Sequence, residues 1–305
     1  MYNFKLSTDS CCDEFKIILE KEGIACLPMP YITEEEHVDS FSHAEEYKYF
    51  YDDMRRGVIS KTAALSIGEI EEHFENLIKE GNKDIVHIVL SSGLSVVYEN
   101  TLKAASAVME RNEGVNIFVP DIKSATQGQN YLLQYAKRLR NEGKSGKATS
   151  EQLETASKNL HHWFFISDLM HLKRGGRIGG AAAVIGTMLK ARPVLTIDKD
   201  GKLQVVEKQM GTKKAIKALV EKVKDYALDI NEQTFYICHS DDRISAEILK
   251  QSLVKAFPKI KVIINFIGPV IGSHTGPDTV GIVFMGKERY EPKKSKVKKV
   301  EKEEE

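Results

Sequence analysis

The stretch from Asp84 to Gly114, DIVHIVLSSGLSVVYENTLKAASAVMERNEG, constrains the fold more than any other. An apolar run comes first, then a turn of small polar residues, then a helical repeat. A run with little alternation suits a strand covered on both faces, the habit of parallel sheets. Similar runs stand at 4–9 (FKLSTD), 115–121 (VNIFVPD) and 162–168 (HWFFISD). Helical patterns fill the gaps. In SIGEIEEHFENLIKEG, Ser66 is followed three residues later by Glu69, a capping box. Ile70, Phe74, Leu77 and Ile78 fall on one stripe, and Gly81 marks the stop. The alternation predicts parallel βα units over residues 1–160, a mostly parallel sheet flanked by helices.

Beyond this point the runs arrive closer together: PVLTID (193–198), LQVVEK (203–208), TFYICHS (234–240), KVIINFI (261–267) and TVGIVFM (279–285). DKDG at 198–201 reads as a turn between the first two. A second, α+β domain with a mixed sheet is expected over 161–286, which suits a chain of 305 residues. NEGKSGKATS (141–150) has the wrong glycine spacing for a phosphate loop and reads as a solvated loop. The charged segment 287–305 is expected to be disordered. The formal net charge is zero, so no general basic field recruits nucleic acid. No apolar run reaches the length of a membrane span, and a cytoplasmic protein is expected. Cys11, Cys12, Cys26 and Cys238 match no zinc spacing, and no HExxH pattern occurs, so no metal or cofactor is expected.

Candidate binding residues sit where strands end. Thr8-Asp9-Ser10, the Ser91-Ser92-Gly93-Leu94-Ser95 turn and Asp121 each follow an apolar run, and Thr62 precedes a capped helix. Ligands of open α/β sheets bind outside such strand ends, where helix N-termini favour an anion. The same residues also serve as ordinary helix caps, and spacing does not separate the two roles. SSGLS lacks the nucleophile-elbow pattern, and no Asp/His pair is placed to make a triad. Lys173, Arg174 and Arg177 surround Gly175-Gly176, a cluster fit for a phosphate, an acidic partner or plain solvent. GGAAAVIGTML after it suits close helix packing or the wall of a narrow apolar channel. IGPVIGSHTGPDTVG (267–281) carries Gly272, His274 and Thr275 among more glycines and prolines than a hairpin requires.

Together these segments resemble the DegV family of bacterial fatty-acid-binding proteins. The family's TDS turn is here Thr8-Asp9-Ser10; its TSQPS loop is TAALS, keeping Thr62 and Ser66; its SSxLSGTY is SSGLSVVY, keeping Ser91, Ser92, Ser95 and Tyr98. LKRGGRI stands unchanged at 172–178, and IGPVIGxHxGPGTVG matches the C-terminal stretch with Asp278 at a usual glycine. The resemblance implies two α/β domains with one long-chain fatty acid in a tunnel between them. It implies a carboxylate held by Thr62, by Ser91 or Ser92, and by His274, with Thr8, Asp9, Ser10, Gly93, Ser95, Gly272 and Thr275 supporting. It also implies a carrier rather than an enzyme, which presents the acid to a separate fatty acid kinase for phosphorylation toward phospholipid synthesis. Lys173, Arg174 and Arg177 would then face the kinase or the phosphate.

The chain departs from the pattern in ways that bear on the head group. SGT has become Ser95-Val96-Val97, and TSQPS has lost a serine and a glutamine. A less polar head-group pocket than is usual for the family follows. Two other functions stay open on the residues alone: an enzyme of small-molecule phosphoryl or acyl transfer, and a lipid-sensing interaction protein without kinase coupling.

Overall fold

The structure, a computed structural model, describes residues 2–177 and 191–291. Strand β1 (Lys5–Asp9) runs into a single 3-10 turn, Ser10–Cys12, capped by the Asp9 carboxylate, which accepts from the Cys11 N–H. Helix α1 (Lys16–Lys21) returns the chain to β2 (Ala25–Leu27), parallel to β1. The βα alternation is then interrupted. Strands β3 (Pro30–Ile32) and β4 (Glu36–Val38), helix α2 (Ala44–Arg55) and β5 (Lys61–Thr62) form a strap with its own antiparallel sheet, ordered β4-β3-β5. Nothing in the hydrophobic pattern signals these strands. They are two or three residues long, and β4 is exposed at every position.

The alternation resumes with α3 (Ile67–Lys79), β6 (Asp84–Ile88), α4 (Val97–Arg111) and β7 (Asn116–Phe118). At the start of α3 the Glu69 carboxylate accepts from the Ser66 N–H at 2.8 Å, and the Ser66 hydroxyl accepts from the Glu69 N–H at 3.3 Å. The capping box is therefore present, and Ile70, Phe74 and Leu77 are buried below it. The first sheet is ordered β2-β1-β6-β7, parallel throughout. Helices α5 (Gln127–Asn141) and α6 (Gly146–Ser157) follow. The loop expected over 141–150 is shorter than its composition suggests, because Ser145 accepts from the Ala148 N–H at 3.2 Å and starts α6.

Strand β8 (Leu160–Phe165) begins the second sheet and leads to the short α7 (Met170–Arg174). Then come β9 (Ala191–Ile197), β10 (Leu203–Met210), α8 (Thr212–Tyr226), β11 (Thr234–His239), α9 (Arg243–Ala256), β12 (Lys261–Phe266), α10 (Pro269–Thr275) and β13 (Val280–Met285). The sheet is ordered β10-β9-β8-β13-β11-β12; only β11 and β12 pair parallel. The DKDG turn joins β9 to β10, with the Asp198 carboxylate accepting from the Asp200 and Lys202 N–H groups at 2.9 Å each. The α/β architecture with one parallel and one mixed sheet is thus the one expected from sequence. The glycine-rich C-terminal stretch is a short helix, started by Pro269 where a missing N–H costs nothing.

The two sheets share apolar packing. Val97 and Ile85 of the first sheet's layer cluster with Ile166 and Leu195 of the second and with Val270 of α10. Residues 287–291, counted from sequence in the disordered segment, are placed against the body. Arg289 is 3% exposed and donates to the carbonyls of Ser157, Leu160, Lys123 and Asp198. Tyr290 lies edge-on to Trp163. The small-residue segment 179–189, Ile178 and residues 292–305 lie outside the described residues. Among the described residues no helix is long and apolar enough to cross a membrane, and no cluster of three His, Cys, Asp or Glu side chains could hold a metal.

Candidate functional site

A cavity of about 100 Å³ lies between the two sheets. Leu90 and Ala125 line it from the first sheet's loops, Phe164, Ile197 and Ile282 from the second sheet, and Val270 from α10. Two of the threonines that line it, Thr275 and Thr279, have hydroxyls already engaged. Thr275 Oγ1 donates to the Ile271 carbonyl at 3.2 Å and Thr279 Oγ1 to the Thr275 carbonyl at 3.2 Å, so both hydroxyls belong to the backbone of α10 and its exit. Such a chamber suits a hydrocarbon.

One end is different. His274, on α10, shares a hydrogen bond of 2.8 Å between its Nε2 and Thr62 Oγ1 on β5. Gly175 packs flat against the other edge of the imidazole; a Cβ built there would lie 2.0 Å from His274 Nδ1. Arg177, just past α7, donates from Nε to the Leu94 carbonyl at 3.1 Å and from Nη1 to the Gly175 carbonyl at 2.6 Å. Among the described residues no carboxylate pairs with this guanidinium. Thr62, His274, Arg177, Leu94 and Ser95 therefore converge on one end of the cavity. Ala63 and Ala64, exposed to solvent and also on the cavity wall, form its rim.

Burial, with a smaller push from Arg177, lowers the His274 pKa to about 4. The ring is thus neutral near pH 7, and its Nδ1 is buried without a hydrogen-bond partner. An entering anion would reverse that balance, since an opposite charge nearby favours the imidazolium. The end of the cavity can thus offer a hydroxyl, an imidazole and a guanidinium to a single anionic group.

The strand-end hydroxyls of the first sheet are placed otherwise. Ser91 is fully buried and donates to the Gly201 carbonyl at 3.0 Å, while accepting from the Gly93 N–H at 3.1 Å. Ser92 donates to Asp121 Oδ2 at 2.7 Å. Gly93 has no room for a side chain, because a Cβ would lie 2.5 Å from the Asp200 carbonyl oxygen. The SSG turn is thus docked on the DKDG hairpin, and Ser91 and Ser92 do not line the cavity. Ser95 does line it, although its hydroxyl also accepts from the Val97 N–H at 3.2 Å.

Thr8, Asp9 and Ser10 stitch the first sheet together. They lie at the point where strand order reverses, between β1 and β6, where such sheets commonly bind ligands. Here that crevice is filled. The Asp9 carboxylate accepts from the Leu90 N–H, the Cys11 N–H and Gln129 Nε2 at 2.8–2.9 Å. Thr8 donates to the Ile88 carbonyl, and Ser10 accepts from the Met29 N–H. Gly272 makes room for Tyr51, whose hydroxyl would meet a Cβ at 2.3 Å. Lys173 and Arg174 are exposed on α7 and do not line the cavity.

Sequence reasoning did not single out Tyr51 or Ser60. The Tyr51 hydroxyl donates to the Ile267 carbonyl at 2.7 Å, and Ser60 Oγ lies 2.6 Å from Ser273 Oγ. Both tie the strap to α10 and so hold Thr62 opposite His274. No local motif marks either residue; the signal lies in contacts more than two hundred residues apart in sequence.

The fold and the cavity define a two-sheet α/β protein that encloses an apolar chamber with one polar end. The chain belongs to the DegV family, whose family model matches residues 3–287. A DegV domain-containing protein from Clostridium perfringens is 33% identical over 287 residues, covering 94% of this chain and 98% of its own length. Two solved structures share the fold. A DegV family protein from Thermus thermophilus, described by its fatty acid binding, superposes with a TM-score of 0.83 at 26% identity, covering 92% of this chain and 99% of that one. DegV from Bacillus subtilis, a fatty acid binding protein, gives 0.81 at 26% identity, covering 94% of this chain and 100% of that one.

Proposed function

We propose that this chain binds a long-chain fatty acid, with the alkyl chain in the cavity between the sheets and the carboxylate at its polar end. The observation that carries the reading is the convergence of Thr62, His274 and Arg177, which meets no carboxylate among the described residues, on one end of an otherwise apolar cavity. A carboxylate brought beside an apolar wall must be hydrogen-bonded, and charge-assisted bonds to hydroxyl, imidazole and guanidinium meet that need. Burial of the chain supplies affinity at roughly 0.8 kcal/mol per methylene, so a tail of about sixteen carbons outweighs the cost of association. In this reading Ser91 and Ser92 support the head-group end by docking the SSG turn on the DKDG hairpin. The proposal extends to presentation of the carboxylate to a partner fatty acid kinase. The exposed rim at Ala63–Ala64 and the exposed cations Lys173 and Arg174, which precede Arg177 in the chain, support that extension.

The test is native mass spectrometry of protein purified from a bacterial host, followed by titration of the delipidated protein with a labelled fatty acid. A co-bound acid and saturable uptake are expected, with His274→Ala and Thr62→Ala each weakening binding about tenfold or more. A clean unliganded mass with no saturable uptake overturns the reading.

A further inference from the structure

Two buried carboxyl groups face one another beneath the helix that carries His274. Asp13 follows the 3-10 turn in a left-handed conformation, with φ 52°, and is 2% exposed. Neither of its carboxylate oxygens has a hydrogen-bond partner. Asp39, in the strap between β4 and α2, is 5% exposed, and its Oδ2 likewise has none. Both point at Gly268, the residue before α10. A Cβ built on Gly268 would lie 2.5 Å from Asp13 Oδ1 and 3.2 Å from Asp39 Oδ2. Among the described residues neither carboxyl pairs with a lysine or arginine.

The pair joins three elements that shape the cavity. The Asp39 N–H donates to the carbonyl of Met29, a cavity-lining residue of the strap. The Asp13 carbonyl accepts from Gln127 at 2.9 Å and from Asn265 of β12 at 3.3 Å. Gly268 starts the helix that places Val270, Ile271 and His274 on the cavity wall. Two ionised carboxylates confined to one buried point without a cation repel each other and lose their hydration. Carboxyl pairs in that position keep a proton.

We propose that Asp13 and Asp39 are a proton-holding carboxyl pair that locks the strap onto the start of α10, so that loss of the proton loosens the cavity wall. Burial, and then the Asp39 charge with a smaller push from Asp9, hold Asp13 well above the usual carboxylate range against the pull of the nearby Thr126 hydroxyl and Gly268 N–H, and burial raises Asp39 to about 7 against the Ser10 hydroxyl and the Phe41 N–H. For raised groups the sign is fixed: the closed arrangement is favoured at low pH and loses support as pH rises through about 7. The surrounding titratable groups are Asp9, Cys11 and Cys12 on the β1 side, Cys26 on β2, Tyr31 on β3, Glu46, Tyr47 and Tyr51 on α2, and Cys238 on β11. Burial holds these cysteines and tyrosines neutral through the range from pH 5 to 8. Asp9, raised to about 6, titrates inside it, so substitutions of the pair itself must separate the contributions.

The test is hydrogen exchange on the full, unliganded chain at pH 6 and pH 8, corrected for the intrinsic rate. Segments 28–43 and 267–276 are expected to lose about tenfold of their protection at the higher pH. Asp39→Asn and Asp13→Asn, which mimic the protonated carboxyl, are expected to abolish that change. Equal protection at both pH values overturns the proposal, as does the same loss in both variants as in the parent. Should one of the two variants fail to fold, the other decides, because Asp9 also titrates between the two pH values. The effect on a ligand rests on the fatty acid reading: release of a fluorescent fatty acid should quicken about tenfold between pH 6 and 8. Absence of any binding would sink that reading while leaving the exchange result to judge the pair.

Discussion

Gly175 and Gly176 stand side by side in LKRGGRI, and the structure assigns them different reasons for being glycine. Gly175 has φ −74° and ψ −7°, an ordinary helical conformation that alanine accepts, with a gain of roughly 0.5–1 kcal/mol from restricting the unfolded chain. What forbids alanine is His274. The new methyl would lie 2.0 Å from Nδ1, and ordinary contact begins near 3.4 Å. The ring must therefore withdraw by more than an ångström, and its 2.8 Å bond to Thr62 breaks. A fatty acid carboxylate then loses a charge-assisted hydrogen bond of about 1.5–3 kcal/mol, or roughly ten- to 150-fold in affinity. Gly176 is the control. Nothing lies within 4 Å of its would-be Cβ, but its φ is +68°. Gly176→Ala should cost roughly 1 kcal/mol of stability, the strain of a left-handed residue, and leave affinity intact. Calorimetric titration with a long-chain fatty acid and thermal melting of both variants separate the effects. A dissociation constant for Gly175→Ala within twofold of the parent, in a folded protein, would refute the head-group geometry.

Two further outcomes follow from buried polar groups and backbone strain. Arg289→Ala strands three buried carbonyls and one part-buried one that the guanidinium now satisfies, and should lower stability by at least about 3 kcal/mol in chemical denaturation; a loss under 1 kcal/mol would show that water replaces it freely. Thr126 lines the cavity with φ 49° and ψ −136°, a region costly for any residue with a side chain. Thr126→Gly should raise stability by about 1 kcal/mol after the entropy of the freer unfolded chain is charged against it, and unchanged or lower stability would mean that no strain is stored there.

Most strands of the two sheets were legible because they lie in apolar runs, whereas the three-residue, half-buried β2 was not. The Ser66–Glu69 cap was legible because its chemistry is local. The strap was not, since strands of two or three residues carry no period, and β4 is exposed throughout. Yet the strap supplies Thr62, half of the hydrogen bond that defines the polar end. Residue type also does not say which way a hydroxyl points. Ser91 and Ser92 stand in a strand-end turn of the kind that serves anions, but a carbonyl from the DKDG hairpin takes one and Asp121 takes the other. Arg177 was readable as a cation beside two glycines; its place on the cavity depends on Leu94, more than eighty residues earlier.

The departures from the family pattern acquire unequal weight once they are placed. Val96 and Val97 occupy positions where small polar residues are usual, which from sequence suggested a drier head-group pocket. Neither lines the cavity: Val97 is 1% exposed and packs in the core at the start of α4, and Val96 is 60% exposed to solvent. Their effect falls on helix initiation and surface. Ala63 and Ala64 are the ones that matter, because they form the rim. A rim of methyl groups offers no side-chain donor to an anion, so in the proposed reading Thr62, His274 and Arg177, with the Ser95 hydroxyl beside them, carry its recognition. That concentration makes the polar end more sensitive to loss of any one of the three than a pocket with redundant hydroxyls would be. It also makes the alignment of strap and α10, through Tyr51, Ser60 and the buried carboxyl pair, the structural condition on which recognition depends.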